Sequence, residues 1–479
     1  MSPNNEMTEI PETEFDIVST DLPADLETPV SAYLKLRGIG AGFLFESAEG
    51  VDRLGRYSFI GFASGRSLQA GRGQTVYTDG TREYVAMGDP LEVVKTVLAR
   101  SRIAGSRGAP ALLGAAAGFV SYDYARFLED IPTRPGKVAD TPVCRFGFVE
   151  SLVVFDHLMR KMTVFSLTPL GLKAGLDLHN RILGALEAPL GSRPAADRGA
   201  EVRFDSGTSA TEYAELVRKA KRYIRDGDCF QIVLSRRLRA ECAPDHFDIY
   251  RRLRMSNPSP YMFYIDFGGH KLIGSSPEML VKLTGRRAFI SPIAGTRPRG
   301  GDAAEDSALE AGLLSDEKER AEHVMLVDLA RNDLGRMCRC GSVKVGGYMR
   351  VERYSHVMHI VSDVTGDLRD RCDQFDLFRA AFPAGTVSGA PKVRAMQIIE
   401  ELEKDARGVY AGAVGYFSPS GDMDTCIAIR TIFVEGGTVF IQAGAGIVAD
   451  SDPDREFAET ENKLAAVRCA VESAAGGVR

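Results

Sequence analysis

The grouping of strand-like and helix-like segments constrains this chain more than any other feature of its sequence. Strand-like runs such as Tyr57–Phe62, Leu152–Phe155, Gln231–Leu234 and Thr438–Ala443 recur along the chain, and runs of adjacent strands are separated from long amphipathic helical stretches. A regular strand–helix–strand alternation would build a parallel sheet; runs of adjacent strands instead predict an α+β protein with sizeable antiparallel sheets. At 479 residues, with 44% hydrophobic and 26% charged residues, the chain can bury a large core and reads as globular. No internal repeat is visible.

Composition also suggests the organisation. Residues 1–14 are polar and acidic and read as a poorly ordered leader. A first folded region is expected over 15–187. Residues 188–208, rich in Pro, Gly, Ala and charge, read as a linker or long surface connection. The remaining region, 209–473, opens on Ser209-Ala-Thr-Glu212, a capping-box signature that predicts a helix to about Arg225.

Several classes of function are disfavoured. The formal net charge of −6 does not suit a nucleic-acid partner, because phosphate binding needs a basic surface. The start lacks the basic and apolar regions of a signal peptide. No apolar run reaches the about 20 residues of a membrane helix, so a cytoplasmic protein without a membrane partner is expected. The eight cysteines are scattered, and Cys338 and Cys340 have the wrong spacing for a CxxC site. Reduced, mostly buried thiols follow.

Two segments place carboxylates three residues apart on expected helices: Glu319 and Glu322, then Glu456 and Glu459 after Pro453. Residues i and i+3 share a helix face, so each pair can aim two carboxylates at one point. Mg²⁺ takes hard oxygen ligands, few of them from protein. The same spacing serves ordinary surface helices: Glu459 and Lys463 form an i,i+4 pair, and Glu319 suits a helix N-terminus.

Two glycine motifs invite nucleotide readings that fail. Gly444-Ala-Gly446-Ile-Val-Ala449 matches a dinucleotide pattern, but only 33 residues follow Gly446, too few for such a fold. A tight loop whose N–H groups approach an anion is the better expectation, with a plain turn as its alternative. Gly385-Thr-Val-Ser-Gly-Ala-Pro-Lys392 lacks the Gly-Lys-Ser/Thr ending of a phosphate loop, and Pro391 removes a backbone donor.

Long motifs in a fixed order set this chain among known sequences. Gly274–Glu278, Pro292–Gly300 (PIAGTRPRG), Glu319–Asn332 (ERAEHVMLVDLARN), Pro383–Lys392 (PAGTVSGAPK), Gly444–Gly446 and Glu456–Lys463 resemble the signature of the chorismate-utilising enzymes. That resemblance implies a large α/β sandwich of two mostly antiparallel sheets flanked by helices, with the site between them. It implies Mg²⁺ held by Glu322 and Glu459, supported by Glu319 and Glu456 directly or through water, gripping the ring carboxylate of chorismate. Arg430, Tyr410 and the Gly444, Ala445 and Gly446 amides match the grip on the enolpyruvyl carboxylate, for which an arginine fork is suited. Gly295 and Thr296 line the site in such relatives, and Thr386 and Lys463 sit inside matching motifs. Glu278 matches the general acid for the departing C4 hydroxyl, a role that needs a raised pKa. His359, rather than the nearby His356, matches a histidine needed for pyruvate elimination.

Within that family three features point to the anthranilate-forming branch. Enzymes that add water carry a lysine base where Gln231 stands, and a neutral amide cannot activate water that way. Enzymes that form a covalent intermediate carry a lysine where Ala294 stands. Leu44-Phe-Glu46-Ser47 and Asn257–Phe263 resemble the two halves of a tryptophan feedback site, with Ser47, Pro260, Tyr261 and Met262 as contacts. The resemblance further implies ammonia supplied by a separate glutamine amidotransferase subunit, because no such module is found here, and a heterotetrameric assembly.

Overall fold

A computed structural model describes residues 9–47, 55–63, 65–105, 108–134, 141–169, 174–191, 202–241, 245–354 and 357–476. Two large sheets dominate it. The first has 13 strands and runs, from one edge, through Gln231–Glu241, Thr438–Ile447, Thr431–Glu435, His270–Ser276 and Tyr261–Asp266 to Ala41–Glu46 and the remaining N-terminal strands. The second has 12 strands and includes Ile293–Pro298, Val357–Asp367, Met279–Thr284, Met423–Ile427, Ala413–Phe417 and Ala116–Val120. Pairing is antiparallel except where Thr13–Phe15 lies parallel to Ser101–Ile103. The antiparallel α+β sheets expected from strand grouping form, in the two-sheet sandwich that the family resemblance implied.

Each sheet draws strands from both sides of the expected linker, so the two regions share their cores. Phe43, Phe119 and Leu152 from the first region pack with Phe263, Leu272 and Phe433 from the second, between the sheets. Each such fully buried side chain contributes about 1.5–3 kcal/mol. Helices Pro29–Leu36, His246–Ser256 and Pro453–Gly476 cover the outer face of the first sheet. Helices Pro90–Ala99, Glu317–Met337 and Gln374–Ala381 cover the second.

Several local expectations are refined. Helix Ala210–Arg225 starts as its capping box requires, Ser209 and Glu212 exchanging hydrogen bonds with each other's backbone. The leader is shorter than its polarity suggests: Ile10 is buried and Thr13–Pro23 is a strand. Of the connection at 188–208, residues 192–201 lie outside the described residues, and Asp205–Ser206 adds a short strand beside Gln231–Glu241. Seven cysteines are free, and Cys242 lies outside the described residues. No described helix is long and apolar enough to cross a membrane.

Candidate active site

The site forms where the chain crosses from one sheet to the other. His270–Ser276 belongs to the first sheet and Met279–Thr284 to the second, so Glu278 sits at a crossing. Met423–Ile427 and Thr431–Glu435 make the reverse crossing beside it, at Arg430. The two crossings are tied together by the Ile427 N–H donating to the Glu278 carbonyl at 3.0 Å. Arg430 adopts φ +50°, a left-handed conformation uncommon for a residue with a side chain. Such a backbone persists only where its surroundings enforce it.

Both crossings open into one cavity of about 820 Å³. It brings together Glu278, His359, Gln231, Thr386, Gly295, Thr296, Tyr410, Arg430, Gly444, Gly446 and Lys463, with the acids Glu319, Glu322, Glu456 and Glu459. Ala445 is the exception. It alternates to the far side of its strand and is fully buried among apolar neighbours. The segment around it is not the tight loop the glycines suggested: Gly444–Gly446 continue the strand Thr438–Ile447. Thr431–Glu435 pairs with that strand only as far as Ile441. Beyond it the edge opposite Gln231–Glu241 has no strand partner among the described residues, and the Gly444 carbonyl instead accepts from Lys463 Nζ at 2.9 Å. A Cβ on Gly446 would lie 2.6 Å from Gln231 Nε2, so glycine is needed for the amide to fit.

Burial pushes the Glu278 carboxyl up to about 7, while the Thr386 hydroxyl, Lys463 and Arg430 pull the other way. The acid form therefore persists near neutral pH, as proton donation requires. His359 Nδ1 lies 2.9 Å from the Gly295 carbonyl, which can only accept. The hydrogen is thereby placed on Nδ1, leaving Nε2 with its lone pair. Burial also lowers the imidazole pKa and keeps the ring neutral. Gly295 presents that carbonyl from a bulge between Ala294 and Thr296, at φ +65°. Burial pushes the Tyr410 phenol up to about 12, so it stays protonated.

The four acids arrive on two helices. Asp316 caps helix Glu317–Met337, accepting from the Lys318 and Glu319 N–H groups, and Pro453 opens the second helix. Glu322 is held above the usual carboxylate range by burial and then by the Glu319 and Glu459 charges. Burial likewise raises Glu456. Glu319 also pairs with Arg297 at 3.2 Å and Glu459 with Lys463 at 2.6 Å. Among the described residues no three such donors stand close enough to hold a metal by themselves. Two polar wall residues escaped the motif reading: Lys318, one turn before Glu322, and Gln442, two positions before Gly444. Helical i,i+4 spacing and strand alternation would have found them.

The two segments of the expected feedback site also meet. Ala41–Glu46 pairs with Tyr261–Asp266, and Met262 faces Glu46 across the ladder. Glu46 is buried and held by Tyr250 and Arg254. Ser47 Oγ is buried with no hydrogen-bond partner among the described residues, Pro260 and Met262 are buried, and the Tyr261 hydroxyl donates to Asp424 at 3.0 Å. His356 lies outside the described residues.

Comparison with known proteins agrees with this geometry. The profile of the chorismate binding enzymes matches residues 42–468. Anthranilate synthase component 1 of Acetivibrio thermocellus is 44% identical, covering 95% of each chain. That of Aquifex aeolicus is 45% identical, covering 95% of this chain and 94% of its own. The crystal structure of anthranilate synthase component I from Streptococcus pneumoniae superposes with a TM-score of 0.78 at 38% identity, covering 93% of this chain and 99% of that one. The Escherichia coli isochorismate synthase MenF, 20% identical with a TM-score of 0.71 over 98% of this chain and 97% of its own, shares the fold. The chain belongs to the chorismate-binding enzyme family.

Proposed function

We propose that this chain is the large subunit of an anthranilate synthase, converting chorismate and ammonia to anthranilate, pyruvate and water in the first step of tryptophan biosynthesis. One observation carries the reading. The cavity pairs a carboxyl poised near neutrality, Glu278, with an arginine, and presents Gln231 and Ala294 where other branches of the family carry lysines. Relatives at 44–45% identity over nearly the full length bear that name.

Arg430 and Tyr410 grip the enolpyruvyl carboxylate, with Lys463 closing the strand edge beside them. The ammonia lone pair forms the new bond at C2, and the C4 hydroxyl leaves as water with the Glu278 proton. In the second stage the C2 proton is removed and the bond between C3 and the enolpyruvyl oxygen breaks. The ring becomes aromatic and the enol, taking up a proton, becomes pyruvate. His359, neutral and with a free Nε2, is suited to carry a proton in that stage.

The four acids fit a magnesium ion. Burial raises Glu322, and the Glu319 and Glu459 charges raise it further, a charge imbalance that a dication relieves. Glu322 and Glu459 would hold it, with Glu319 and Glu456 behind them, and it would orient the ring carboxylate. Ser47, Pro260, Tyr261 and Met262 are read as a tryptophan inhibitor site, supported by the meeting of their two strands and by a Ser47 hydroxyl that has no partner among the described residues. Ammonia is read as coming from a separate glutamine amidotransferase subunit in a heterotetramer.

The test is to incubate the protein with chorismate, Mg²⁺ and ammonium, and to assay fluorescent anthranilate together with pyruvate. Both are expected in equal amounts. An aminated product without pyruvate, or no turnover, overturns the reading.

A further inference from the structure

Behind the catalytic cavity Arg407 and Glu403 form an ion pair whose side chains are only 2% and 3% exposed. The contact is a planar fork, with Arg407 Nε donating to Glu403 at 3.0 Å and Nη2 at 2.7 Å. Two backbone carbonyls take further donors, Val387 from Nη1 at 2.6 Å and Val233 from Nη2 at 2.7 Å. One guanidinium thus ties the Gly385–Val387 turn to the strand Gln231–Glu241. A lysine, with a point charge instead of a planar fork, could not span these acceptors together.

The face of the guanidinium is also occupied. Its carbon lies 4.7 Å from the Tyr122 ring centre and 5.6 Å from that of Tyr410. The Tyr410 N–H closes a turn by donating to the Arg407 carbonyl at 3.1 Å. From this bed Tyr410 reaches the catalytic cavity, which Arg407 itself does not line. The phenol lies against the strand Thr438–Ile447, where a Cβ on Gly444 would come 2.9 Å from its oxygen. Burial pushes the phenol up to about 12, while Arg407 pulls it the other way. The group therefore stays protonated, and the cation behind it makes it a stronger hydrogen-bond donor.

Glu403 serves a second wall residue. It accepts from the Ser235 N–H at 2.7 Å and from the Ser235 hydroxyl at 2.9 Å, and that hydroxyl accepts from Gln442 Nε2 at 2.8 Å. A buried ion pair contributes little stability beyond what apolar side chains of the same volume would give. What apolar side chains could not supply is a rigid cationic plane under the Tyr410 ring. We infer that Arg407 is a positioning residue for the enolpyruvyl carboxylate of chorismate, holding the Tyr410 ring in place and polarising its hydroxyl toward that group; the inference rests on the substrate grip proposed above.

Two variants test it without leaving Glu403 buried opposite an uncharged side chain. Arg407→Lys keeps the charge but loses the fork, and Glu403→Gln/Arg407→Met removes both charges together. Folding is read by circular dichroism and thermal melting. Anthranilate formation is then measured with chorismate, ammonium and Mg²⁺ varied in turn. Chorismate KM is expected to rise at least roughly fivefold in both variants, with kcat within about threefold and the half-saturating ammonium and Mg²⁺ concentrations within about twofold of wild type. Tyr410→Phe should raise chorismate KM in the wild-type background and by less than about twofold in Arg407→Lys, because the two changes remove one interaction. Folded variants with unchanged chorismate KM overturn the role, as do equal losses toward chorismate, ammonium and Mg²⁺, or effects of Arg407→Lys and Tyr410→Phe that simply multiply. If neither variant folds, the arginine serves the fold alone and the positioning role falls. A wild-type protein that makes no anthranilate instead fails the activity reading.

Discussion

Lys392 Nζ lies 3.1 Å from each carboxylate oxygen of Asp333, deep between the helix that carries Glu319 and Glu322 and the segment that carries Thr386. The pair fixes two parts of the site relative to each other. Burial pushes the Asp333 carboxyl up to about 6 despite the lysine, which pulls it down. Because the folded value is raised, the folded state holds this proton more tightly than the unfolded chain. Stability from this group is therefore lost as pH rises from the unfolded value through the folded one. Lys392→Met removes the compensating charge, lifts Asp333 further and moves that loss to higher pH. A destabilisation of about 3–5 kcal/mol is expected near pH 8, smaller near pH 5.5, and largely relieved in Asp333→Asn/Lys392→Met. Urea unfolding at both pH values measures it; equal losses at the two would contradict the account.

Glu278 should behave as a proton donor. Glu278→Gln is expected to lower kcat by on the order of 10²–10⁴ with chorismate KM little changed. In wild type, kcat/KM for chorismate at fixed free ammonia should fall as pH rises through about 7. The Thr386 hydroxyl favours the charged carboxylate, so Thr386→Val should move that fall to higher pH. A shift to lower pH would show the sign to be wrong.

Magnesium should stabilise the protein as well as activate it. A cation among mutually repelling carboxylates binds only the folded arrangement, so Mg²⁺ at about 100 Kd should add about 2.7 kcal/mol. Thermal melts with and without chelator read this without substrate. Glu322→Gln should raise the half-activating Mg²⁺ concentration on the order of tenfold or more. An unchanged magnesium dependence would remove Glu322 from the ligand set.

Gly385 packs directly on Leu329 of the acid-bearing helix, where a Cβ would lie 1.7 Å from Leu329 Cδ2. Gly385→Ala should push the Thr386 turn and that helix apart, destabilising by about 1–3 kcal/mol and lowering kcat. Leu329→Ala in the same chain should restore both, as a double-mutant cycle will show.

The absence of tryptophan from the chain gives a direct assay for the inhibitor. Tryptophan added to the protein should give a saturable emission change that chorismate opposes, as linkage between the two sites requires. Ser47→Ala should weaken it by about 1 kcal/mol, roughly fivefold. No saturable signal at sub-millimolar tryptophan would sink the assignment.

Much of this site was legible in one dimension because its parts are local. Two acids three residues apart share a helix face wherever the helix lies, and Pro453 and Asp316 mark where those helices begin. The family resemblance then singled out Glu278, His359 and Arg430, which no spacing rule would have picked and which line one cavity. Local pattern failed where a partner decides the outcome. Gly444–Gly446 read as a loop because glycine is rare in strands, yet they extend a strand paired to Gln231–Glu241. Ile10 sits in a polar stretch, and only the surface it packs against makes it core.

The sequence by itself determined the helix starts, the alternating strand faces and the residue types at each motif position, since these follow from short-range geometry and side-chain chemistry. Only the tertiary structure decided that Glu278 and Arg430 would meet at neighbouring crossings between two sheets. It alone gave Glu278 its raised pKa and His359 its tautomer, because desolvation and a hydrogen-bond partner 64 residues away exist only once the chain is folded. The cluster that joins Arg407 to Tyr410 and Gln442 belongs to the same class: it is made by strands and turns whose contact no local pattern encodes.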